Sequence, residues 1–190
     1  LIFLLAKEGK FYQYLEKRGL CGNDLGIGNL YWCGRGNGYY FLIMERLGKN
    51  YTELLEESDN GKLDLFTVLK LGIAGIEILE RLHKVGIIHR DMKPDNFLVN
   101  SDESKIHLID FGLAKFYVDL KGTHYPISYD NKLVGTARYV SRNVHRGLEQ
   151  SRRDDLESFG YVLIYLLNGS LPWQKHKARD KAERNLLFGE

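Results

Sequence analysis

The sequence is poor in cysteine and proline, with two and three of them in 190 residues. Cys21 and Cys33 stand too far apart for a CxxC redox motif, and no histidine lies at zinc-ligand spacing from them. We therefore interpret the two thiols as reduced rather than as part of a disulfide framework. Reduced thiols are typical of a cytosolic or nuclear protein, which is the location we expect.

The sequence also lacks an excess of charge of either sign, because 27 Lys and Arg face 25 Asp and Glu. A net charge of +2 creates no strong field for nucleic acid or a membrane, and we expect neither as a partner. The apolar run at residues 1–5 is too short to span a bilayer and follows no basic leader, so we interpret it as the cut edge of a buried element. With 44% apolar and 27% charged residues, the composition is typical of a soluble globular domain.

Hydrophobic spacing predicts three helices. Residues 3–15 place apolar side chains on one face, residues 67–84 form a long and mostly buried helix, and residues 154–167 form another apolar helix. Gly86 stands where the C-cap of the second helix is expected, and Pro172 is expected to end the third.

Short apolar runs predict two β-hairpins. Residues 30–33 and 39–44 flank a glycine-rich turn whose spacing is not that of a phosphate loop. Residues 97–99 and 106–109 flank a polar turn and form the second hairpin. Residues 116–144 show little periodicity, which is unusual in a compact domain unless the segment is functional.

The strongest chemical signal is the string HRDMKPDN at residues 89–96, followed by the triplet DFG at residues 110–112. The string lies in a loop after the long helix, and the triplet follows the far strand of the second hairpin. Hairpin geometry should bring the loop and the strand end together, so that Asp91, Asn96 and Asp110 surround one point. Such oxygen ligands suit Mg²⁺.

Phosphoryl transfer requires this layout of groups. We predict that Asp91 orients or deprotonates the attacking hydroxyl, that Lys93 contacts the γ-phosphate, and that Asn96 and Asp110 hold the metal. The alternative is a polar turn with accidental matches. Each motif alone would be a weak signal, but both together, in this order and on this scaffold, favour a protein kinase.

Longer strings carry a more specific resemblance. They are HRDMKPDNFL (89–98), IDFGLAK (109–115), GTARY (135–139), LEQSRRDDLES (148–158) and GSLPW (169–173). Where most protein kinases have Ala-Pro-Glu, this sequence has Ser141-Arg142-Asn143, similar to the Ser-Ile-Asn of one family. Along nearly its whole length the chain resembles the casein kinase I family of serine/threonine protein kinases.

The resemblance implies an α+β, two-lobed protein-kinase fold built as one domain. Residues 1–47 would be a remnant of the small lobe and hinge, with only helix C and a hairpin. Residues 48–190 would be a mostly helical large lobe that lacks its last helices. The implied activity is transfer of the ATP γ-phosphate, with Mg²⁺, to Ser or Thr hydroxyls of acidic or already phosphorylated protein substrates by a monomer.

The resemblance also assigns nucleotide contacts. The implied ATP-binding residues are Glu8, Met44, Glu45, Leu47, Leu98 and Ile109. Glu8 would pair with the ATP-positioning lysine, and residues 45–48 would form the hinge. The backbone of Leu47 would pair with adenine, and Leu98 and Ile109 would lie beneath the ring. The alternatives are a solvated helix residue for Glu8 and ordinary core residues for Leu98 and Ile109.

Basic residues are implied to form two anion sites. Arg138 would favour acidic or phosphorylated substrates through charge-assisted pairing, and Arg184 aligns loosely with a second contact of that site. Arg90 and Lys115, with Lys132, would make another site. For Arg184 and Lys132 a solvated surface charge is an equal alternative.

Three residues are implied to have supporting roles. Asp155 would hold the backbone of the loop at residues 89–96, and His89 would pack on Phe111 rather than act as a base. The other histidines, which show no ligand spacing, are predicted to be ordinary. They are His83, His107, His124, His145 and His176.

Two parts of a kinase are missing from the sequence. No glycine-rich strand-turn-strand and no strand lysine precede Glu8, and Lys7 is adjacent to Glu8 rather than across a cleft from it. The chain is also shorter than a kinase domain of this type. We therefore expect a fragment or a degenerate kinase, with a non-catalytic protein-binding module as the alternative function. A kinase that phosphorylates small molecules is disfavoured, because the segment that corresponds to residues 116–144 forms a platform for peptide substrates in the family.

Overall fold

Helix α1 spans Ile2–Glu16 in the computed structural model, which describes residues 2–22, 25–100, 104–129 and 132–175. Phe11, Tyr12 and Leu15 lie on one face of α1 and are buried. Gly19, with φ of +66°, ends the helix in a left-handed turn whose amide donates to Glu16 O at 2.8 Å. The predicted helix is confirmed.

Strands β1 (Leu30–Gly36) and β2 (Tyr39–Met44) form the first predicted hairpin, and they pair antiparallel. The turn consists only of Asn37 and Gly38, which both have positive φ, as a two-residue type I′ turn requires. The glycine-rich stretch is therefore mostly strand, although the hairpin itself is confirmed.

Helix α2 (Tyr51–Glu56) was not predicted. It begins with a capping box, in which Asn50 Oδ1 accepts from Glu53 N at 2.9 Å and Glu53 Oε2 accepts from Asn50 N at 2.8 Å. Tyr51 is fully buried and stacks on Phe97. This short helix therefore fixes the chain just after the expected hinge.

Helix α3 (Leu65–Lys84) confirms the long helix and starts two residues earlier than predicted, because Asp64 caps it by accepting from Thr67 N. Gly86, with φ of +83°, follows its end as expected. The chain then enters β3 (Ile87–Ile88), which pairs antiparallel with β6 (Lys115–Phe116).

The second predicted hairpin is formed by β4 (Phe97–Val99) and β5 (Ile106–Leu108). The two ladders β3–β6 and β4–β5 bracket the loop at residues 89–96 and the triplet at 110–112. Residues 89–96 are called the HRD loop below.

Helices α4 (Arg142–His145) and α5 (Arg152–Asn168) complete the described chain. Gly169, with φ of +71°, ends α5, so Pro172 is not the residue that stops it. Helices α3 and α5 pack closely because α3 has no side chain at Gly75, where a Cβ would lie 2.2 Å from the ring of Phe159.

The described residues thus have mixed α and β content, with five α-helices and three two-stranded sheets around one core. Both cysteines are free, as predicted. Within the described ranges, none of the helices combines the length and apolar character needed to cross a bilayer.

Candidate active site

Hydrogen bonds to one buried carboxylate of helix α5 hold the HRD loop. Asp155 is 1% exposed, and its two oxygens accept from the backbone amides of His89 at 2.8 Å and Arg90 at 2.9 Å. Arg90 has a φ of +72°, an unfavourable conformation for a residue with a side chain. The two hydrogen bonds from these backbone amides to Asp155 hold the loop in this strained conformation.

His83 is a third partner of Asp155, and the sequence analysis treated it as ordinary. Its Nε2 lies 2.9 Å from Asp155 Oδ2, and both side chains are buried. The signal in the sequence was its position in the last turn of α3, six residues before His89. The hydrogen bond to the ring of His83 gives this buried carboxylate a third partner, which lowers the cost of burying it.

Asp91 is buried to 6% exposure and held by three neighbours. Thr136 Oγ donates to Asp91 Oδ1 at 2.7 Å, and Lys93 Nζ lies 3.2 Å from Asp91 Oδ2. Asn96 Nδ2 donates to the backbone oxygen of Asp91 at 2.8 Å. The contacts from Thr136 and Lys93 fix the direction of the carboxylate, and the bond from Asn96 holds the backbone beneath it.

Thr136 reaches Asp91 because Gly135 precedes it. Gly135 has a φ of +106°, and a Cβ there would lie 2.4 Å from the backbone oxygen of Arg90. Only glycine permits this approach of the two segments. The Gly-Thr pair was quoted in the sequence analysis as a family string, but its contact with Asp91 was not predicted.

A backbone hydrogen bond places the segment of Asp110 beside Asn96. The amide of Ile109 donates to Asn96 O at 3.0 Å, and the ring of His89 lies 2.9 Å from Ile109 O. Asp110 has a φ of +65°, and its Oδ1 accepts from Gly112 N at 3.2 Å. The three oxygen-bearing residues of the prediction therefore belong to segments that are directly hydrogen-bonded.

Phe111 is fully buried between two aromatic rings. It meets His89 at 5.1 Å and Tyr12 at 5.0 Å between ring centroids, both edge to face. The predicted packing of His89 on Phe111 is present in the structure. Through Tyr12, the triplet also contacts helix α1.

The donors at this site suit a hard cation. The amide nitrogen of Asn96 is engaged by Asp91, which leaves its oxygen for other partners, and one oxygen of Asp110 is bound by Gly112 N. In the described part of the chain, no three His, Cys, Asp or Glu residues converge as metal ligands. One carboxylate and one amide oxygen fit Mg²⁺, which keeps several waters and also takes phosphate oxygens.

Glu8 lies on α1 next to this site. Burial and the negative charge of Asp110 raise the pKa of Glu8 from 4.5 to about 7, while a hydrogen bond from the backbone of Phe111 opposes the rise. Among the described residues, no lysine pairs with Glu8. Its neighbour Lys7 instead donates to Gly112 O at 3.4 Å.

Hydrogen bonds hold both ends of the expected hinge, residues 45–48. Glu45 Oε2 accepts from the backbone and side-chain nitrogens of Asn29 at 3.0 and 2.9 Å. Gly48 N donates to Val99 O at 2.8 Å.

The other expected nucleotide residues adjoin the hinge or the HRD loop. Met44 ends β2, Leu47 lies in the hinge, and half-buried Leu98 bridges to Asn50 just beyond it. Ile109 is bonded to Asn96, as described above. The structure thus joins the end of the hinge and Leu98 to the β4–β5 hairpin.

Arg138 is exposed and lies beside two aromatic rings. Its guanidinium carbon is 5.8 Å from the Tyr139 ring centroid and 5.9 Å from that of Tyr165, and Trp173 Nε1 donates to Arg138 O at 2.8 Å. Across the described ranges, no carboxylate forms an ion pair with it. Its charge therefore remains available, whereas Arg184 lies outside the described residues.

The second expected anion site holds a carboxylate of the chain itself. Glu149 Oε1 lies 2.9 Å from Lys115 Nζ and 4.0 Å from a terminal nitrogen of Arg90. Burial, together with the charges of Arg90 and Lys115, lowers the pKa of Lys7. Lys132 is exposed. Glu149 was not predicted as a member of this cluster.

The Ser141-Arg142-Asn143 string has a structural role. Ser141 caps α4, and its hydroxyl donates to Asp154 Oδ1 at 2.5 Å, while Arg142 N donates to Glu157 Oε1 at 2.9 Å. Both carboxylates belong to α5. The string therefore ties the segment that carries Thr136 and Arg138 to the same helix that holds the HRD loop.

The comparison with known protein families agrees with this geometry. The family model for the protein kinase domain matches residues 26–188, which is most of the chain. The match includes the HRD loop, Asp110 and Arg138, and Glu8 precedes it. This chain therefore belongs to the protein kinase family.

Proposed function

We propose that the chain is a serine/threonine protein kinase of the casein kinase I type. In this proposal it transfers the γ-phosphate of ATP to Ser or Thr hydroxyls of acidic or already phosphorylated protein substrates. Residues 1–47 act as small lobe and hinge, and residues 48–190 act as the large lobe. The proposal rests on the hydrogen bonds that join Asn96 to Asp91 and the segment of Asp110 to Asn96.

Asp91 is proposed to receive the proton of the substrate hydroxyl. The bond from Thr136 and the nearby ammonium of Lys93 support this role, because they orient the carboxylate toward one direction. As the hydroxyl oxygen forms its bond to phosphorus, the bond to the β-phosphate oxygen breaks and ADP leaves. Lys93 offsets the charge that develops on the transferred group.

Asn96 and Asp110 are proposed to hold Mg²⁺ together with the ATP phosphates. Bound magnesium would neutralise charge on the β- and γ-phosphates. The residues of the chain position the nucleotide, with Leu47 at the adenine edge and Leu98 and Ile109 beneath the ring. Glu8, next to Asp110, borders the same position.

The preference for acidic or phosphorylated substrates rests on Arg138. Its exposed guanidinium, unpaired within the described chain, can form two parallel hydrogen bonds with a carboxylate or phosphate. The aromatic rings of Tyr139 and Tyr165 lie beside it, at 5.8 and 5.9 Å. The choice of Ser and Thr rests on the family resemblance, aided by Lys93.

The proposal is tested by measuring phosphate transfer from radiolabelled ATP to an acidic serine peptide and to its threonine, tyrosine and neutral analogues. We expect transfer to the serine and threonine peptides, and Asp91→Asn should lower kcat by about 10²–10⁴-fold. Asp95→Asn is the matched control, because Asp95 is an exposed carboxylate in the same loop and should leave the rate unchanged.

Arg138→Gln should raise KM for the acidic peptide and leave the neutral analogue unaffected. Equal transfer by Asp91→Asn and the wild-type chain would contradict the catalytic assignment. ATP-independent binding of acidic peptides without any transfer would instead favour the non-catalytic binding module.

A further inference from the structure

Basic side chains hold the backbone that follows the DFG triplet. Arg90 Nε of the HRD loop donates to Leu113 O at 2.7 Å, and Lys7 Nζ of α1 donates to Gly112 O at 3.4 Å. Lys115 follows at the start of β6. Three cations, from α1, the HRD loop and β6, therefore border this short stretch of the chain.

Glu149 is the carboxylate that forms ion pairs with Arg90 and Lys115 among the described residues. Its Oε1 lies 2.9 Å from Lys115 Nζ and 4.0 Å from a terminal nitrogen of Arg90. The side chains of Glu149 and Arg90 are 23% and 14% exposed, so water screens their charges only in part. Burial lowers the pKa of Arg90, and the charges of Glu149 and Asp155 oppose this fall. Glu149 therefore offsets the charge of the guanidinium.

The backbone around Glu149 also holds a later part of the chain. Glu149 N donates to Ser128 O at 2.8 Å, and Gln150 Nε2 donates to Val134 O at 2.8 Å. Arg153 of α5 donates to Glu149 O at 3.3 Å. Glu149 thus joins the HRD loop, β6, the chain near Ser128 and helix α5.

In many protein kinases, a phosphate added to the segment after the DFG triplet orders that segment by pairing with arginines. In this chain the carboxylate of Glu149 already pairs with the two cations, and it comes from outside residues 116–144. We propose that Glu149 is a positioning residue that takes the place of such a phosphate. It holds the HRD loop and β6 in the arrangement that transfer requires, so the chain is active without phosphorylation at residues 116–144. This role rests on the proposed function, because it concerns the rate of the same transfer.

Steady-state transfer to the acidic serine peptide tests this role. Glu149→Gln removes the charge and keeps the size of the side chain, so kcat should fall about 10–100-fold while KM for ATP and for the peptide changes by less than about twofold. Glu149→Asp should restore most of the loss. Glu80→Gln is the matched control, because Glu80 is an exposed carboxylate of α3 that pairs with Lys84, and it should leave kcat unchanged.

Chemical rescue separates a positioning charge from a loss of packing. Glu149→Ala leaves Arg90 and Lys115 without their carboxylate, so added inorganic phosphate should bind there and raise kcat about tenfold. Potassium chloride at the same ionic strength should not raise it. The wild-type chain and Glu149→Ala combined with Lys115→Ala should not respond to phosphate. Treating the wild-type chain with a phosphatase should leave its rate unchanged.

Two measurements are independent of phosphate transfer. In isothermal titration calorimetry, inorganic phosphate should bind Glu149→Ala at least about tenfold more tightly than the wild-type chain, and adding Lys115→Ala should abolish this gain. Hydrogen exchange of the amides at residues 113–116 should be faster in Glu149→Ala than in the wild type, and added phosphate should slow it again.

A wild-type kcat in Glu149→Gln, no response of Glu149→Ala to phosphate, or loss of wild-type activity after phosphatase treatment would each overturn the proposal. Phosphate binding to Glu149→Ala that changes neither kcat nor hydrogen exchange would also overturn it, since the site would then accept an anion without positioning the chain. If binding and exchange behave as expected but no form of the chain transfers phosphate, the proposed function fails, and the hold of Glu149 on residues 113–116 is supported.

Discussion

Replacing Asp155 with alanine is expected to destabilise the fold strongly and to release the HRD loop. The carboxylate accepts three hydrogen bonds, from the amides of His89 and Arg90 and from the ring of His83, at 2.8 to 2.9 Å. Because Asp155 is 1% exposed, water cannot reach these donors without local opening.

The magnitude follows from the groups left without partners. A buried donor without its acceptor costs about 1–3 kcal/mol, and Asp155→Ala leaves three such donors. Partial opening of the loop to water reduces the sum, so we expect a loss of about 4 kcal/mol in the free energy of unfolding. A domain of this size has about 5–15 kcal/mol in total.

Urea unfolding followed by circular dichroism and tryptophan fluorescence measures this loss. His83→Ala and the double variant complete a thermodynamic cycle, which should give a coupling energy of about 1–3 kcal/mol between His83 and Asp155. A loss below about 1 kcal/mol for Asp155→Ala, or zero coupling, would refute the argument that this carboxylate holds the loop.

Three further perturbations test other parts of the account. The pKa of Glu8 is about 7 in the folded chain, above the ordinary 4.5. The free energy of unfolding therefore falls as the pH rises from 4.5 to 7. Allowing for solvent screening, Glu8→Gln should gain about 1–2 kcal/mol at pH 8 and little at pH 4.5. Asn50→Ala should cost about 1 kcal/mol by removing the cap of α2. Gly75→Ala should cost about 1–3 kcal/mol because its Cβ meets Phe159, whereas Gly160→Ala should be neutral or stabilising by up to about 1 kcal/mol. Urea unfolding measures the free energy of unfolding of each variant. A gain for Glu8→Gln that does not change with pH would contradict the first prediction, and an unchanged stability of Asn50→Ala would contradict the second. Equal effects of Gly75→Ala and Gly160→Ala would contradict the third.

The sequence predicted the elements that local rules determine. Helices α1, α3 and α5 follow from apolar spacing, and both hairpins follow from paired apolar runs around turn residues. The capping box of α2 was also readable, since Asn50 and Glu53 have the required spacing, but the helix is too short for periodicity to reveal it.

Contacts between distant segments could not be predicted in the same way. The pairing of His83 with Asp155 joins residues 72 apart, and the bond from Thr136 to Asp91 joins residues 45 apart. No local pattern encodes such distances. The motifs located the candidate catalytic residues, but only the folded chain brings Glu149 to Lys115 and leaves Glu8 without a lysine among the described residues.

Metal binding measured with Mn²⁺ in place of Mg²⁺ tests the central claim that Asn96 and Asp110 share one metal–nucleotide position. Electron paramagnetic resonance reports the free Mn²⁺ that remains in the presence of the chain and ATP. The account predicts nucleotide-dependent binding that weakens at least about tenfold in Asp110→Asn and in Asn96→Ala but not in Asp95→Asn. Unchanged binding in the first two variants would contradict it.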